Sequence, residues 1–408
     1  MLHSFILPPA GKKGLAMTSG IDERNRIAIF DTTLRDGEQA AGVGFSVQDK
    51  LDIADELAAM GVDVIEAGFA AASDVEADAI RRIAARVRGS RVCSLSRAVA
   101  GDIEAAARAL EPAEKARIHV FLSASEVQMA AQLGRSQAQV LELAEQHVAE
   151  ARRHVDDVEF SPMDATRADP EFVVRMASAA VRAGASTVNI PDTVGFATPD
   201  LIAALIGRLR ASIPAFTQPS GPVLSFHGQD DLGLATANAL AAIAAGARQV
   251  ELTVNGIGER AGNTPLEEVV MALHVHGERM GVYTGVRTER IHALSRLVEA
   301  RSAMAVAANK AIVGLNAFRH ASGVHQDGVI KRRETYEVFD PALIGHPRGT
   351  EIVLGKLSGR AGFAARARAL GFPLRGAMLE HAFRRFQRVA DTQRVVDDAQ
   401  VAAICAEL

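Results

Sequence analysis

Two cysteines in 408 residues, Cys93 and Cys405, are too few for a disulfide framework and fit a reducing compartment. No apolar run approaches the roughly 20 residues that cross a bilayer, so no membrane role is expected. There is no excess of basic residues either. With 45 Lys and Arg against 49 Asp and Glu, the net charge of −4 leaves no footprint for nucleic acid or an anionic lipid surface. The N-terminal residues mix Lys, Gly, Pro and Ser without periodicity and lack the apolar core of a signal peptide. Residues 1–25 therefore read as a disordered extension. Internal repeats, low-complexity tracts and heptads do not stand out. What remains is 48% apolar and 23% charged, a composition that supports a substantial core plus an accessory domain. A cytoplasmic location is expected.

Short runs rich in Val and Ile recur from residue 27 onward, separated by amphipathic, Ala-rich segments. Strands are predicted at Ile27–Phe30, Val62–Ala67, Arg91–Leu95, Arg117–Leu122, Asp157–Phe160, Thr187–Ile190, Val223–Phe226 and Gln249–Val254. Helices are predicted at Val47–Met60, Pro170–Ala183 and Leu234–Ala245, followed by Gly61, Gly184 and Gly246 as helix terminators. Eight βα units with near-continuous apolar strands predict an α/β fold, a closed (β/α)8 barrel of the TIM type, over residues 26–285. Residues 286–408 change to helical patterns without interleaved strands. They read as a helical C-terminal accessory region for covering a barrel mouth and for dimerisation.

A parallel barrel places chemistry just beyond the C-terminal ends of its strands. Arg35 and Asp36 follow the first strand in the run DTTLRDGEQ (31–39). On their own they are equally an ordinary polar turn with a surface ion pair. Glu66 closes the second strand, Arg97 follows the third, and Ser161 to Asp164 follow the fifth. Thr193 follows the sixth, His227 and Gln229 the seventh, and NGIGERAGN (255–263) the eighth. Polar and ionisable groups thus gather at one rim, as an enzyme requires. Asp36, His227 and the Asn263 amide oxygen form a mixed O/N donor set for Mg²⁺, Mn²⁺ or Zn²⁺. Such a cation chelates a 2-oxo acid and polarises its ketone, while Arg35 stabilises the developing alkoxide. Cys93, inside an apolar strand, reads as a core residue.

The motifs DTTLRDGEQ (31–39), VDVIEAGF (62–69), NIPDTVG (189–195), DDLGLATAN (230–238), NGIGERAGN (255–263), SGVHQDG (322–328) and LGKLSGR (354–360) stand in one order along the chain. In that set the sequence resembles the 2-isopropylmalate synthase and homocitrate synthase family of acyltransferases, the DRE-TIM metallolyases. The resemblance implies condensation of acetyl-CoA with a 2-oxo acid, followed by thioester hydrolysis. It assigns catalysis to Arg35, His325 and Tyr336, the last one of only two tyrosines. It also assigns metal ligation to Asp36, His227 and Asn263, and substrate contact to Arg35 and Thr193. Arg97 joins the substrate-binding set from its place on the rim. A homodimer with exchanged C-terminal regions is implied, in which one subunit brings His325 and Tyr336 to the other's barrel.

The chain also departs from the family. The ligand pair His-x-His reads His227-Gly228-Gln229 here, so Gln229 is the candidate fourth ligand through its amide oxygen. Met163 stands where relatives carry Glu, Ala321 where they carry Glu, and Leu357 where they carry His. Two readings follow. One is an enzyme acting on an unusual 2-oxo acid; the alternative is a degenerate copy serving as a structural or regulatory subunit. The sequence ends soon after LGKLSGR, so the leucine-regulatory domain of many relatives is not expected.

Overall fold

The computed structural model describes residues 23–408. Residues 1–22 of the expected N-terminal extension lie outside the described residues, and Glu23–Asn25 form one 3-10 turn. Eight strands follow: β1 Ala28–Asp31, β2 Val64–Gly68, β3 Arg91–Arg97, β4 Ala116–Ser123, β5 Val158–Met163, β6 Thr187–Asp192, β7 Val223–Gly228 and β8 Gln249–Leu252. They form a closed barrel in sequence order, and every neighbouring pair is parallel. Closure is made by β1 against β8, from Ala28 beside Gln249 to Asp31 beside Leu252. The TIM-barrel expectation is borne out.

Local sequence explains the layers. Ile29, Ile65, Val92, Ile118, Phe160, Val188, Phe226 and Val250 are buried in the strands, and the helices pack their apolar stripes over them. Burying one Phe side chain in this way contributes about 2–3 kcal/mol. The helix Val47–Met60 begins at a capping box between Ser46 and Asp49 and ends at Gly61, whose φ of 84° requires glycine. Helices Pro170–Arg182 and Ala235–Ala245 match their predicted spans within two residues.

The interior follows a period of two. From β3 to β8 the odd-numbered side chains turn inward and stack in layers. Arg117, Glu159, Ser225 and Gln249 form the layer nearest the strand starts. Above it stand Cys93, His119, Ser161, Asn189, His227 and Glu251, all buried. Leu95, Phe121, Met163, Pro191 and Gln229 complete the layer at the mouth. β5, β6 and β7 run past their predicted ends because ladder pairing continues to Ser123 beside Met163 and Asp192 beside Gly228. Ser161, Pro162 and Met163 are therefore strand residues rather than loop residues.

The described residues form two compact units that divide after Val306. The helix Ile291–Ser302 belongs with the barrel, through Arg301 to Asp49 and Asp52 and Asn255 Nδ2 to Ser295 O. The second unit, Ala307–Leu408, lies within residues 286–408, which read in sequence as helical without strands. It contains one short parallel pair, β9 Arg319–His320 beside β10 Glu351–Ile352, too short for a two-residue period to show in sequence. Its helices Arg360–Ala369, Gly376–Ala390 and Asp398–Ala406 pack on a core of Phe363, Ala382, Phe386, Val401 and Ile404. Among the described residues no helix is long and apolar enough to cross a membrane.

Candidate active site

At the C-terminal mouth of the barrel lies a cavity of about 230 Å³. Arg35, Asp36, His119, Ser161, Met163, Thr193, His227, Gln229, Glu251 and Arg260 line it. The loop carrying Arg35 and Asp36 is held from beneath. Buried Lys50 donates to the Leu34 carbonyl at 3.2 Å and pairs with Glu38 and Glu76, each at 2.7 Å. Asp31 accepts from the Thr33 amide and hydroxyl at 2.9 Å, and the Thr33 hydroxyl in turn accepts from the Val254 amide. The first loop is thus tied to the eighth.

Arg35 Nε donates to Glu66 Oε2 at 2.6 Å, and its Nη1 lies 3.4 Å from Asp36 Oδ1. The other Glu66 oxygen meets His119 Nδ1 at 2.9 Å, and His119 Nε2 meets Ser161 Oγ at 2.7 Å. Asn189 Nδ2 also donates to Ser161 Oγ. Burial opposes ionisation of Glu66, but Arg35 and His119 outweigh it and hold its carboxyl well below the usual range. Burial likewise favours the neutral His119 ring, yet Glu251 and Glu66 lift its pKa to about 9. The result is a continuous charged and hydrogen-bonded line from the Arg35 guanidinium to the cavity floor. Sequence reading passed over His119, Asn189 and Glu251. The signal was present: three polar residues at inward-facing positions of otherwise apolar strands.

The candidate metal ligands converge. His227 Nδ1 lies 2.9 Å from Glu251 Oε2, which leaves Nε2 facing Asp36 Oδ2 at 3.3 Å. Burial disfavours the imidazolium, but Glu251 and Asp36 raise the His227 pKa above its ordinary value, so a cation competes there with a proton. Asn263 Nδ2 donates to the Ile257 carbonyl at 3.2 Å, which points Oδ1 at the site. Gly258 permits this approach, because a Cβ there would lie 2.0 Å from Asn263 Nδ2. Gln229 and Asn263 face each other across a bridge made by Asp230 N to Gly262 O and Thr264 N to Gly228 O. Gln229 Oε1 is buried and has no hydrogen-bond partner among the described residues. One carboxylate, one imidazole with its second nitrogen anchored on a carboxylate, and two amide oxygens suit a divalent cation.

Other expectations fare differently. Thr193 lines the cavity, and its hydroxyl accepts from the Asp164 amide at 2.9 Å. Arg97 does not line it. Although Arg97 has the inward parity of β3, its guanidinium binds Asp102 at 2.6 and 3.0 Å and sits 5.7 Å over the Phe69 ring. Met163 contributes an apolar wall with Leu95, Phe121 and Pro191. Asp164 is no substitute for the missing carboxylate, because it is fully buried against Ser125 and Arg167. Glu259 and Arg260 also reach the cavity, and Arg260 pairs there with Asp231 at 2.8 Å.

The second unit carries its own cluster. The His325 ring, on the helix Gly323–Lys331, stacks on Tyr336 at 3.9 Å with 18° between the planes. Gly328 makes room, since a Cβ there would come within 2.6 Å of the Tyr336 ring. Gln326, buried beneath, donates toward the carbonyls of His320 and Val353 and toward Ser358 Oγ, which anchors this helix. Ala321 and Leu357 are exposed, so neither departure disturbs a packed core.

Comparison with known proteins agrees with this geometry. The HMGL-like family model matches residues 26–298, and the homocitrate synthase post-HMGL domain-like model matches 312–394. The 2-isopropylmalate synthase of Thermosynechococcus vestitus is 49% identical over 394 residues, covering 93% of this chain and 73% of that protein. That of Synechocystis sp. is 48% identical over 402 residues, covering 95% and 74%. Among solved structures, the HMG-CoA lyase of Brucella melitensis superimposes with a TM-score of 0.57 at 26% identity, covering 68% of this chain and 99% of that one. The chain belongs to the HMGL-like family, in its 2-isopropylmalate synthase and homocitrate synthase group.

Proposed function

We propose that the chain is an acyltransferase that condenses acetyl-CoA and a 2-oxo acid with water, giving CoA and a 2-substituted malate. The observation that carries this reading is the meeting of Asp36, His227 and Gln229 beside the Arg35 guanidinium in one barrel-mouth cavity, with Asn263 Oδ1 2.9 Å behind the Gln229 amide. Those four side chains would hold a divalent cation, which when bound supplies Lewis acidity toward the ketone and carboxylate of the 2-oxo acid. Mg²⁺ or Mn²⁺ suits three oxygen donors and one nitrogen better than Zn²⁺ does. Arg35, fixed by Glu66, stabilises the negative charge that grows on the ketone oxygen as the acetyl carbon attacks. Thr193 holds the substrate carboxylate.

His325 and Tyr336 supply the proton transfers that form the acetyl-CoA enolate and activate water for thioester hydrolysis. In a homodimer with exchanged C-terminal regions, each pair serves the barrel of the other subunit. Both cysteines are free and buried, in keeping with a reducing cytoplasm.

The cavity wall narrows the substrate. Leu95, Phe121, Met163 and Pro191 face the bound acid with carbon and sulfur, while Arg35 and Arg260 already have carboxylate partners. An apolar side chain fits this wall, and a second carboxylate does not. 2-Oxoisovalerate, giving 2-isopropylmalate, is therefore favoured over 2-oxoglutarate. Purified protein with acetyl-CoA, Mg²⁺ or Mn²⁺ and a panel of 2-oxo acids should release CoA with the branched apolar acid. Met163→Lys should raise KM for that acid about tenfold or more by placing a charge against its apolar side chain. Absence of CoA release with every acid would overturn the assignment and favour the non-catalytic alternative, against which the retained ligand set and the 49% identity to a synthase both argue.

A further inference from the structure

Gln229 is 4% exposed, and its side chain lies inside the donor set rather than at its edge. Its Nε2 stands 2.9 Å from Asn263 Oδ1, 3.2 Å from Asp36 Oδ2 and 3.3 Å from His227 Nε2. Two of these atoms, on Asp36 and Asn263, are acceptors by independent argument, and the His227 nitrogen is one whenever the ring is neutral. Asp36 is a carboxylate, Asn263 uses its NH₂ on Ile257, and His227 turns Nδ1 to Glu251. An amide NH₂ is the one group on this side chain that can sit among three acceptors, and a divalent cation would seek the same three atoms. Turned this way, Gln229 leaves Oε1 buried without a partner, an arrangement that folded proteins rarely tolerate without a use for the atom.

We infer that Gln229 is an internal counterpart of the cation. This inference rests on the proposed metal site and adds a second role for one of its ligands. Without metal, the amide NH₂ bridges Asp36 and Asn263 and keeps mutually repelling acceptors assembled. On metal entry the amide turns by half a rotation about its last bond. Asp36, His227 and Asn263 would then hold the cation where the NH₂ hydrogens stood, and Gln229 would offer Oε1 as a further ligand. The ligand set is therefore organised before metal arrives, at the expense of affinity, because the two hydrogen bonds are given up on binding.

The test uses the full chain stripped of metal, with Mn²⁺ as the probe. Binding is read by calorimetry and by the EPR signal of free Mn²⁺, and thermal midpoints are measured with and without the ion. Gln229→Leu removes both the clamp and the ligand. It should lower the metal-free midpoint and weaken Mn²⁺ binding about tenfold. Gln229→Glu keeps shape and ligand but turns the clamp into a repulsion. Its metal-free midpoint should fall, its Mn²⁺ affinity should rise about tenfold, and its gain in midpoint on adding Mn²⁺ should exceed that of the wild type. A metal-free Gln229→Leu protein as stable as wild type, or one that binds Mn²⁺ as tightly, overturns the inference. Asp36→Asn separates the two readings. If it abolishes Mn²⁺ binding while the Gln229 variants change nothing, the metal site stands and the dual role falls. If wild type binds no Mn²⁺, both fall.

Discussion

Arg35 makes the largest demand on its surroundings of any residue in the cavity. In the proposed reaction its guanidinium must remain aimed at the substrate oxygen, and Glu66 fixes it through a 2.6 Å bond while His119 holds the far side of the same carboxylate. Arg35→Ala should lower kcat by about 10²–10³-fold with Mn²⁺ binding retained, as steady-state kinetics beside metal titration will show. Asp31 gives a different kind of prediction. Burial, set against two bonds from Thr33 and reinforced by Glu267 and Glu66, raises its pKa from 3.8 to about 7. The folded state then holds this proton more tightly than the unfolded chain does. Its contribution to stability is full below the unfolded value and is lost as pH rises through about 7, with a slope of at most about 1.4 kcal/mol per pH unit. Denaturant unfolding of Asp31→Asn should show a flatter pH profile between 4 and 7 than the wild type.

At the scale of elements, the barrel separates stability from chemistry along its own axis. Arg117 on β4 binds Asp157 at 2.8 and 3.0 Å, Glu159 at 2.8 Å and Gln249 at 2.8 Å, joining three strands below the cavity floor. Removing one partner of such a buried cluster leaves its carboxylates uncompensated, which costs about 3–5 kcal/mol. Arg117→Met should therefore lower unfolding free energy by that order in denaturant titration. Mn²⁺ affinity should change by less than about twofold, since Arg117 does not line the cavity. The strands and helices that build this axis were legible in sequence because each repeats a simple period. The bottom and middle layers were less so. Arg117, His119, Glu159 and Glu251 look like interruptions of apolar strands until the inward parity of neighbouring strands is known.

For the whole molecule, the decisive question is which subunit supplies His325. If the C-terminal regions are exchanged, Arg35→Ala and His325→Ala are each inactive but damage different subunits' contributions to a site. Mixed, unfolded together and refolded, half the dimers would be hybrids, each with one intact site. Activity should return to roughly a quarter of wild type. No recovery would place His325 and Arg35 of one site on the same chain. The His325–Tyr336 stack itself does not depend on that answer, because Gly328 and Gln326 build it within one unit.

Sequence alone determined the barrel, since eight apolar runs at regular spacing have few other ways to bury both faces of parallel strands. It also determined that Arg35, Asp36, His227 and Asn263 share a rim, because strand ends in a barrel converge whatever the loops contain. Only the tertiary structure decided how those groups are used. Arg97 has the right position in sequence yet turns to Asp102, a contact made possible by the helix after β3. Met163 becomes an apolar wall because β5 runs on past Phe160. Gln229 reads in sequence as a lost histidine, but in space its amide stands among polar atoms that come from the loop after β1, from β7 and from the loop after β8. Hydrogen bonding is directional and couples residues far apart in the chain, so its pattern emerges only when the barrel closes.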